Sequence, residues 1–169
     1  MKNFSQKVLK FDSVLARIES AVLITSLGSM IFIAFLQVIL RNWFDTSINW
    51  GDNLARHLVL WVAFLGAGLA TRENRHINID ALSRVLTPAW RRRAYVLTNL
   101  FSASISALLV QAAFTFVRDE QVAGTILFAG IPVWIFMSII FIGFVIITYR
   151  FLIRAFMPSL ADQITTEGD

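Results

Sequence analysis

Four long apolar stretches dominate the pattern of hydrophobic and polar positions along this chain. They cover about residues 20–41, 53–72, 88–117 and 131–153, and polar or charged side chains stand at their ends. A helix needs roughly 20 predominantly apolar residues to cross the hydrocarbon core of a bilayer. The pattern therefore predicts an all-α integral membrane protein, with four transmembrane helices in a single membrane domain over residues 1–169.

Two further segments have the pattern of helices that lie on a membrane surface. Residues 1–19 place basic side chains among apolar ones at helical spacing. Leu82, Val85 and Leu86 repeat at intervals of three and four within the basic loop of about residues 72–93. We expect one amphipathic surface helix near the N-terminus and another between the second and third spans.

Composition and charge distribution support this membrane assignment and orient it. The chain is 57% hydrophobic with a mean hydropathy of +0.67, which is too apolar for an ordinary soluble domain. Its net charge of +4 does not indicate nucleic acid as a partner, because the basic residues cluster before the first span, between the second and third, and after the fourth. Positive residues collect on the cytoplasmic side, so both termini are expected in the cytoplasm.

Small residues at intervals of four are candidates for helix packing. In lipid, such pairs allow another helix backbone to approach closely. The candidate packing residues are Ala63, Gly66, Ala67 and Ala70 in the second span and Ser102 and Ser106 in the third.

Charged residues at the span ends are assigned structural roles. Asp52 with Arg56 and His76 with Asp80 are each four residues apart, which predicts an interfacial ion pair and a capping or interface contact. The remaining basic residues are expected to set topology and to contact lipid phosphates. They are Arg72, Arg75, Arg91, Arg92 and Arg93.

No residue pattern predicts catalysis, a cofactor or a metal site. The chain has no cysteine and two histidines, His57 and His76, which disfavours thiolate chemistry and a haem held between helices. No acidic residue falls in the middle of a span, although proton-coupled pumps normally need one there. A scaffold subunit fits these features; a membrane anchor for a redox enzyme and an autonomous small exporter remain as alternatives.

Several motifs together resemble the small membrane subunit of TRAP transporters, the DctQ-like family. The resemblance covers nearly the whole chain, and Asn53 departs from it because the family commonly has a second acid there. The motifs are Trp50-x-Asp52-x-x-x-Arg56, Trp61-x-x-Phe64-Leu65-Gly66-Ala67, Arg72 to His76-Ile77-x-Ile79-Asp80, and Ile131-Pro132-x-Trp134.

The resemblance implies a non-enzymatic subunit of a three-part uptake system in the bacterial inner membrane. A periplasmic binding protein would capture an organic acid, such as a C4-dicarboxylate or sialic acid, and a large membrane subunit would carry it with sodium. This chain would be a scaffold for that elevator-type subunit and part of the docking surface for the binding protein. The outer residues expected to form that surface are Asp45, Asn49, Trp50, Asp52, Arg118, Asp119 and Glu120.

Overall fold

The computed structural model describes residues 2–46, 48, 50–72 and 88–157, and nearly all of them are helical. Four of its helices are long and apolar enough to cross a membrane, which confirms the predicted all-α membrane fold. The elements in chain order are α1 (Lys2–Phe44), α2 (Gly51–Arg72), α3 (Pro88–Ala123), β1 (Ile126–Phe128), β2 (Ile131–Pro132) and α4 (Val133–Phe156).

The N-terminal amphipathic segment is part of α1 and not a separate surface helix. α1 runs without a break for 43 residues, about 64 Å, which is roughly twice the thickness of the hydrocarbon core. The prediction of two elements was wrong because one buried face continues from Asp12 to Ile33, across the predicted boundary near residue 20. The buried residues of that face recur at intervals of three, four and seven: Asp12, Ala16, Glu19, Ser26 and Ile33.

The helices do not pack in chain order. α1 lies along α2, α2 lies along α4, and α4 lies along α3, so α2 and α4 are the central pair in the described part of the chain. Their contact is tight at Gly143, where a β-carbon would lie 2.7 Å from the Phe64 ring. The Trp61 indole Nε1 also donates a hydrogen bond to the Phe136 carbonyl oxygen, at 3.0 Å.

α3 is longer than the apolar pattern predicts. It begins at Pro88, as expected from a proline in the first helical turn, but it ends at Ala123 and not near residue 117. Arg118, Asp119 and Glu120 therefore lie on the helix. The hydropathy falls at these three residues, but none of them breaks a helix. α3 ends one residue before Gly124, whose backbone has a φ of +65°.

A short hairpin joins α3 to α4 where the sequence predicts an irregular connection. β1 and β2 are antiparallel, and Ala129 and Gly130 make the turn with φ values of +48° and +81°. α4 then begins at Val133, directly after Pro132. The predicted surface helix at residues 82–86 lies outside the described residues, as do Asn49, Arg75, His76 and Asp80.

Candidate functional site

The basic ends of three helices are joined by a buried cluster of charged side chains. Asp12 of α1 accepts from Arg72 Nε of α2 at 3.0 Å and from Arg150 Nε of α4 at 3.2 Å. Glu19, two turns along α1, accepts from Arg150 Nη2 at 2.6 Å. Asp12 is fully buried and Glu19 is 3% exposed. These three ion pairs fix α1 against both α2 and α4.

We define the ion cluster as Asp12, Glu19, Arg72, Arg150 and Arg154. Two of its arginines also donate hydrogen bonds to backbone carbonyl groups. Arg150 Nη1 donates to the carbonyl oxygen of Gly68 in α2. Arg154 Nη2 donates to the carbonyl oxygen of Arg72 at 3.0 Å, where α2 ends. Arg154 and Arg150 are one helical turn apart on α4, so they reach α2 at successive levels.

Gly68 is a position at which the ion cluster requires glycine. A β-carbon there would lie 2.7 Å from Glu19 Oε1 and 3.4 Å from Arg150 Nη1. The sequence analysis included Gly66 among its candidate packing residues, but a β-carbon at Gly66 would meet only Leu23, at an ordinary 3.8 Å. Of these two glycines, Gly68 and not Gly66 is therefore the one in tight contact with another helix.

Sequence reasoning missed the acidic half of the ion cluster. It assigned Arg72 to lipid contact and topology, whereas the Arg72 side chain is 12% exposed and pairs with Asp12. One signal was present: Asp12 and Glu19 are seven residues apart, on one face of a helix whose other charged side chains are all basic. A buried acid pair on a membrane helix indicates arginine partners elsewhere in the chain.

The predicted packing residues divide between buried and open positions. Gly66, Ala67 and Ala70 are half-buried, while Ala63 is exposed, and Leu65 and Gly68 are the more deeply buried residues of this part of α2. On α3, Ser106 is buried and Ser102 is half-buried. Ser106 belongs to a buried face with Asn99, Ala103 and Ala113. In the described residues α3 packs mainly on α4.

The predicted docking residues lie at the opposite end of the molecule from the ion cluster. Asp45, Asp52, Arg118 and Asp119 are exposed, and Trp50 is 41% exposed. The Glu120 carboxylate accepts a hydrogen bond from the Thr125 hydroxyl group, which ties it to the hairpin. These residues stand at the end of α1, the start of α2 and the end of α3.

Asp52 and Arg56 are not among the ion pairs of the described residues, which all lie in the ion cluster. Both side chains are exposed. One turn along α2, His57 Nδ1 lies 2.6 Å from the Asn53 carbonyl oxygen. The predicted pairing of Asp52 with Arg56 is therefore not formed in this structure, and both charges are available to solvent or to another molecule.

Comparison with known proteins identifies the family. Residues 30–159 match the model of the DctQ component of tripartite ATP-independent periplasmic transporters. The chain belongs to this family. It is thus a multi-pass inner-membrane transporter subunit and not an enzyme. The matched segment includes Arg72 and Arg150 of the ion cluster but not Asp12 or Glu19, so the acids of the cluster lie outside the part that the family model describes.

Three curated relatives carry the name small permease protein. A TRAP transporter small permease protein of Haemophilus influenzae is 31% identical over 91 residues, which cover 54% of this chain and 56% of that protein. The ectoine TRAP transporter small permease protein TeaB of Halomonas elongata is 27% identical, over 85% of this chain and 75% of its own length. The C4-dicarboxylate protein DctQ of Pseudomonas aeruginosa is 22% identical, over 82% and 80%. The Haemophilus match thus spans little more than half of that protein.

Proposed function

We propose that this chain is the small permease component of a sodium-driven secondary transporter that imports an organic acid with the help of a binding protein. The observation that carries the proposal is the family match over residues 30–159, because that family is one component of a tripartite transporter. The relatives are named for ectoine and for C4-dicarboxylates. We place the substrate among small organic acids, such as C4-dicarboxylates or sialic acid, and assign its binding to the other components.

A scaffold role follows from where the charged groups lie. The buried charges of the described residues belong to the ion cluster, whose ion pairs and carbonyl contacts link helices at one end of the bundle. Paired charges of this kind stabilise a fixed arrangement of helices and leave no free carboxylate for ion coupling. The proposal therefore assigns sodium coupling and substrate movement to the large membrane subunit.

The surface of α1 supports a large membrane partner. Its face opposite the buried one carries exposed apolar side chains, among them Val14, Ile24, Ile31 and Phe35. In the described part of the chain α1 packs mainly on α2, and its ion pairs with α4 come from Asp12 and Glu19. We propose that this face of α1 contacts the large permease subunit.

The exposed polar end is proposed to dock the binding protein, with both termini in the cytoplasm. Asp45, Asp52 and Asp119 with Arg118 present charges of both signs, and Trp50 adds an aromatic edge. A binding protein that must dock and leave in every transport cycle needs charge complementarity for orientation, with little buried apolar area. Asn49 was predicted to belong to the same surface.

Reconstitution tests the proposed function. Proteoliposomes that contain this chain, the large subunit and the binding protein of the same transport system should accumulate the acid only with an inward sodium gradient. Omission of this chain should abolish uptake, and this chain alone should transport nothing. Uptake by the large subunit without this chain, or transport by this chain alone, would contradict the proposal.

Charge reversal tests the docking surface within the same system. Asp52→Lys and the pair Asp119→Lys with Glu120→Lys should raise the binding-protein concentration needed for half-maximal uptake by about tenfold, because rim charges steer encounter. Lys7→Glu, at the opposite end, is the matched control and should have no effect. Unchanged uptake in both reversal variants, with the complex intact, would exclude this surface as the docking site.

A further inference from the structure

Two arginines stand above an apolar groove at the basic end of α3. Arg92, Arg93, Val96, Leu97 and Leu100 line a depression of about 550 Å³. Leu97 is 70% exposed, so the groove opens away from the helix bundle. Its described walls come from α3, whose close packing on α4 uses the buried face defined above.

The mouth of this groove carries two positive charges that have no acidic partner among the described residues. No aspartate or glutamate occurs in the sequence between Pro88 and Arg118. Neither Arg92 nor Arg93 belongs to an ion pair among the described residues. The Arg93 guanidinium lies 5.5 Å from the centre of the Trp90 ring, a cation–π contact that holds it beside an interfacial aromatic side chain.

The depth of the groove along α3 matches the structure of a lipid leaflet. The next charged residue after Arg93 is Arg118, 25 residues further on, or about 38 Å along the helix axis. The hydrocarbon core is about 30 Å thick, so Arg92 and Arg93 reach headgroup level when α3 spans it. Leu100 lies about 10 Å deeper than Arg93, at the level of acyl chains.

We propose that this groove binds one anionic phospholipid. The phosphate contacts Arg92 and Arg93, since the planar guanidinium group can donate two hydrogen bonds to one phosphate. One acyl chain lies against Val96, Leu97 and Leu100. An anionic headgroup fits better than a zwitterionic one. A zwitterionic headgroup would bring its own positive charge next to the two arginine side chains of the site. This site does not depend on the proposed transport function.

Native mass spectrometry of the purified full-length chain in detergent tests the site. The wild-type chain should retain phosphatidylglycerol in preference to phosphatidylcholine. The double variant Arg92→Gln with Arg93→Gln should bind phosphatidylglycerol about 30-fold more weakly, from the usual contribution of basic residues at a membrane surface. Arg118→Gln is the matched control, an exposed arginine at the other end of the same helix, and should bind as the wild type does.

Two further arms identify the ligand and its location. Leu97→Asn leaves the charge unchanged and should also weaken retention, and excess inorganic phosphate should not displace the lipid, because the acyl chain contributes to binding. Equal retention of the two lipids, wild-type retention in the double arginine variant, or displacement by phosphate would overturn the site. Loss of the lipid on assembly with the large subunit would instead assign the groove to that interface and overturn the proposal equally.

Discussion

At the scale of single residues, Gly68 shows how closely the ion cluster constrains the chain. Gly68→Ala would place a β-carbon 2.7 Å from Glu19 Oε1, so the carboxylate has to move away from Arg150. Overpacking of this kind destabilises by about 1–3 kcal/mol, which lowers the melting temperature by about 5 °C. Gly28→Ala is the control, because a β-carbon there meets nothing within 4 Å. Equal melting temperatures for the two variants in detergent would show that the Glu19 contact does not matter.

Arg150 is the residue on which the ion cluster depends most. Arg150→Met leaves Glu19 buried without its partner, which costs about 3–5 kcal/mol and lowers the melting temperature by about 10 °C. The double variant Arg150→Met with Glu19→Gln should recover much of this loss, because the remaining Asp12–Arg72 pair stays neutral. Arg118→Met, at an exposed position, should have little effect. Additive losses in the double variant would show that the pairing itself contributes little.

At the scale of elements, α1 combines two faces with different partners. The face through Asp12, Ala16 and Glu19 is buried within the chain, and the face through Ile24, Gly28 and Ile31 is open. We propose that this open face packs on a helix of another subunit, because a small residue such as Gly28 allows a second helix backbone to approach closely.

Gly28→Leu tests that assignment without disturbing the fold of the chain. The new side chain enters open space, so the melting temperature of the isolated chain should not change. Copurification with the large subunit should fall at least fivefold, because the leucine separates the two helix backbones. Ala34→Leu, which adds similar bulk to an exposed flank of α1, is the control. Wild-type copurification of Gly28→Leu would show that this face meets lipid.

At the scale of the whole molecule, the ion cluster and the docking surface occupy opposite ends of the helices. From the distribution of positive residues we propose that the ion-cluster end is in the cytoplasm and the hairpin end outside. In this orientation Asp52 and Asp119 would be accessible to a periplasmic protein. It also places a rigid, ion-paired end of the bundle in the cytoplasmic half.

Cysteine labelling tests this orientation. The native chain contains no cysteine, so only the introduced residue can react. Gln121→Cys, exposed beside the hairpin, should react with an impermeant maleimide applied to intact spheroplasts. Lys7→Cys, exposed near the start of α1, should react only after the membrane is permeabilised. The reverse labelling pattern would show that the protein has the opposite orientation in the membrane, and it would exclude the proposed docking surface.

The sequence by itself determined the four spans and the start of α3 at Pro88, because apolar length and helical spacing are properties of neighbouring residues. In lipid the backbone must also satisfy its own hydrogen bonds, which leaves helices as the solution for long apolar stretches. Where a helix ends was less determined: α3 passes Arg118 to Glu120 because polar residues end a hydrophobic pattern without ending a helix.

Only the tertiary structure decided which side of each helix is buried and which charges meet. A spacing of four predicts that Asp52 and Arg56 share a face, but both side chains are exposed and they form no ion pair with each other. Asp12 and Arg150 are 138 positions apart and still form an ion pair. Gly68 is critical because Glu19 and Arg150 converge on it from two other helices, and local sequence carries no signal of such a convergence.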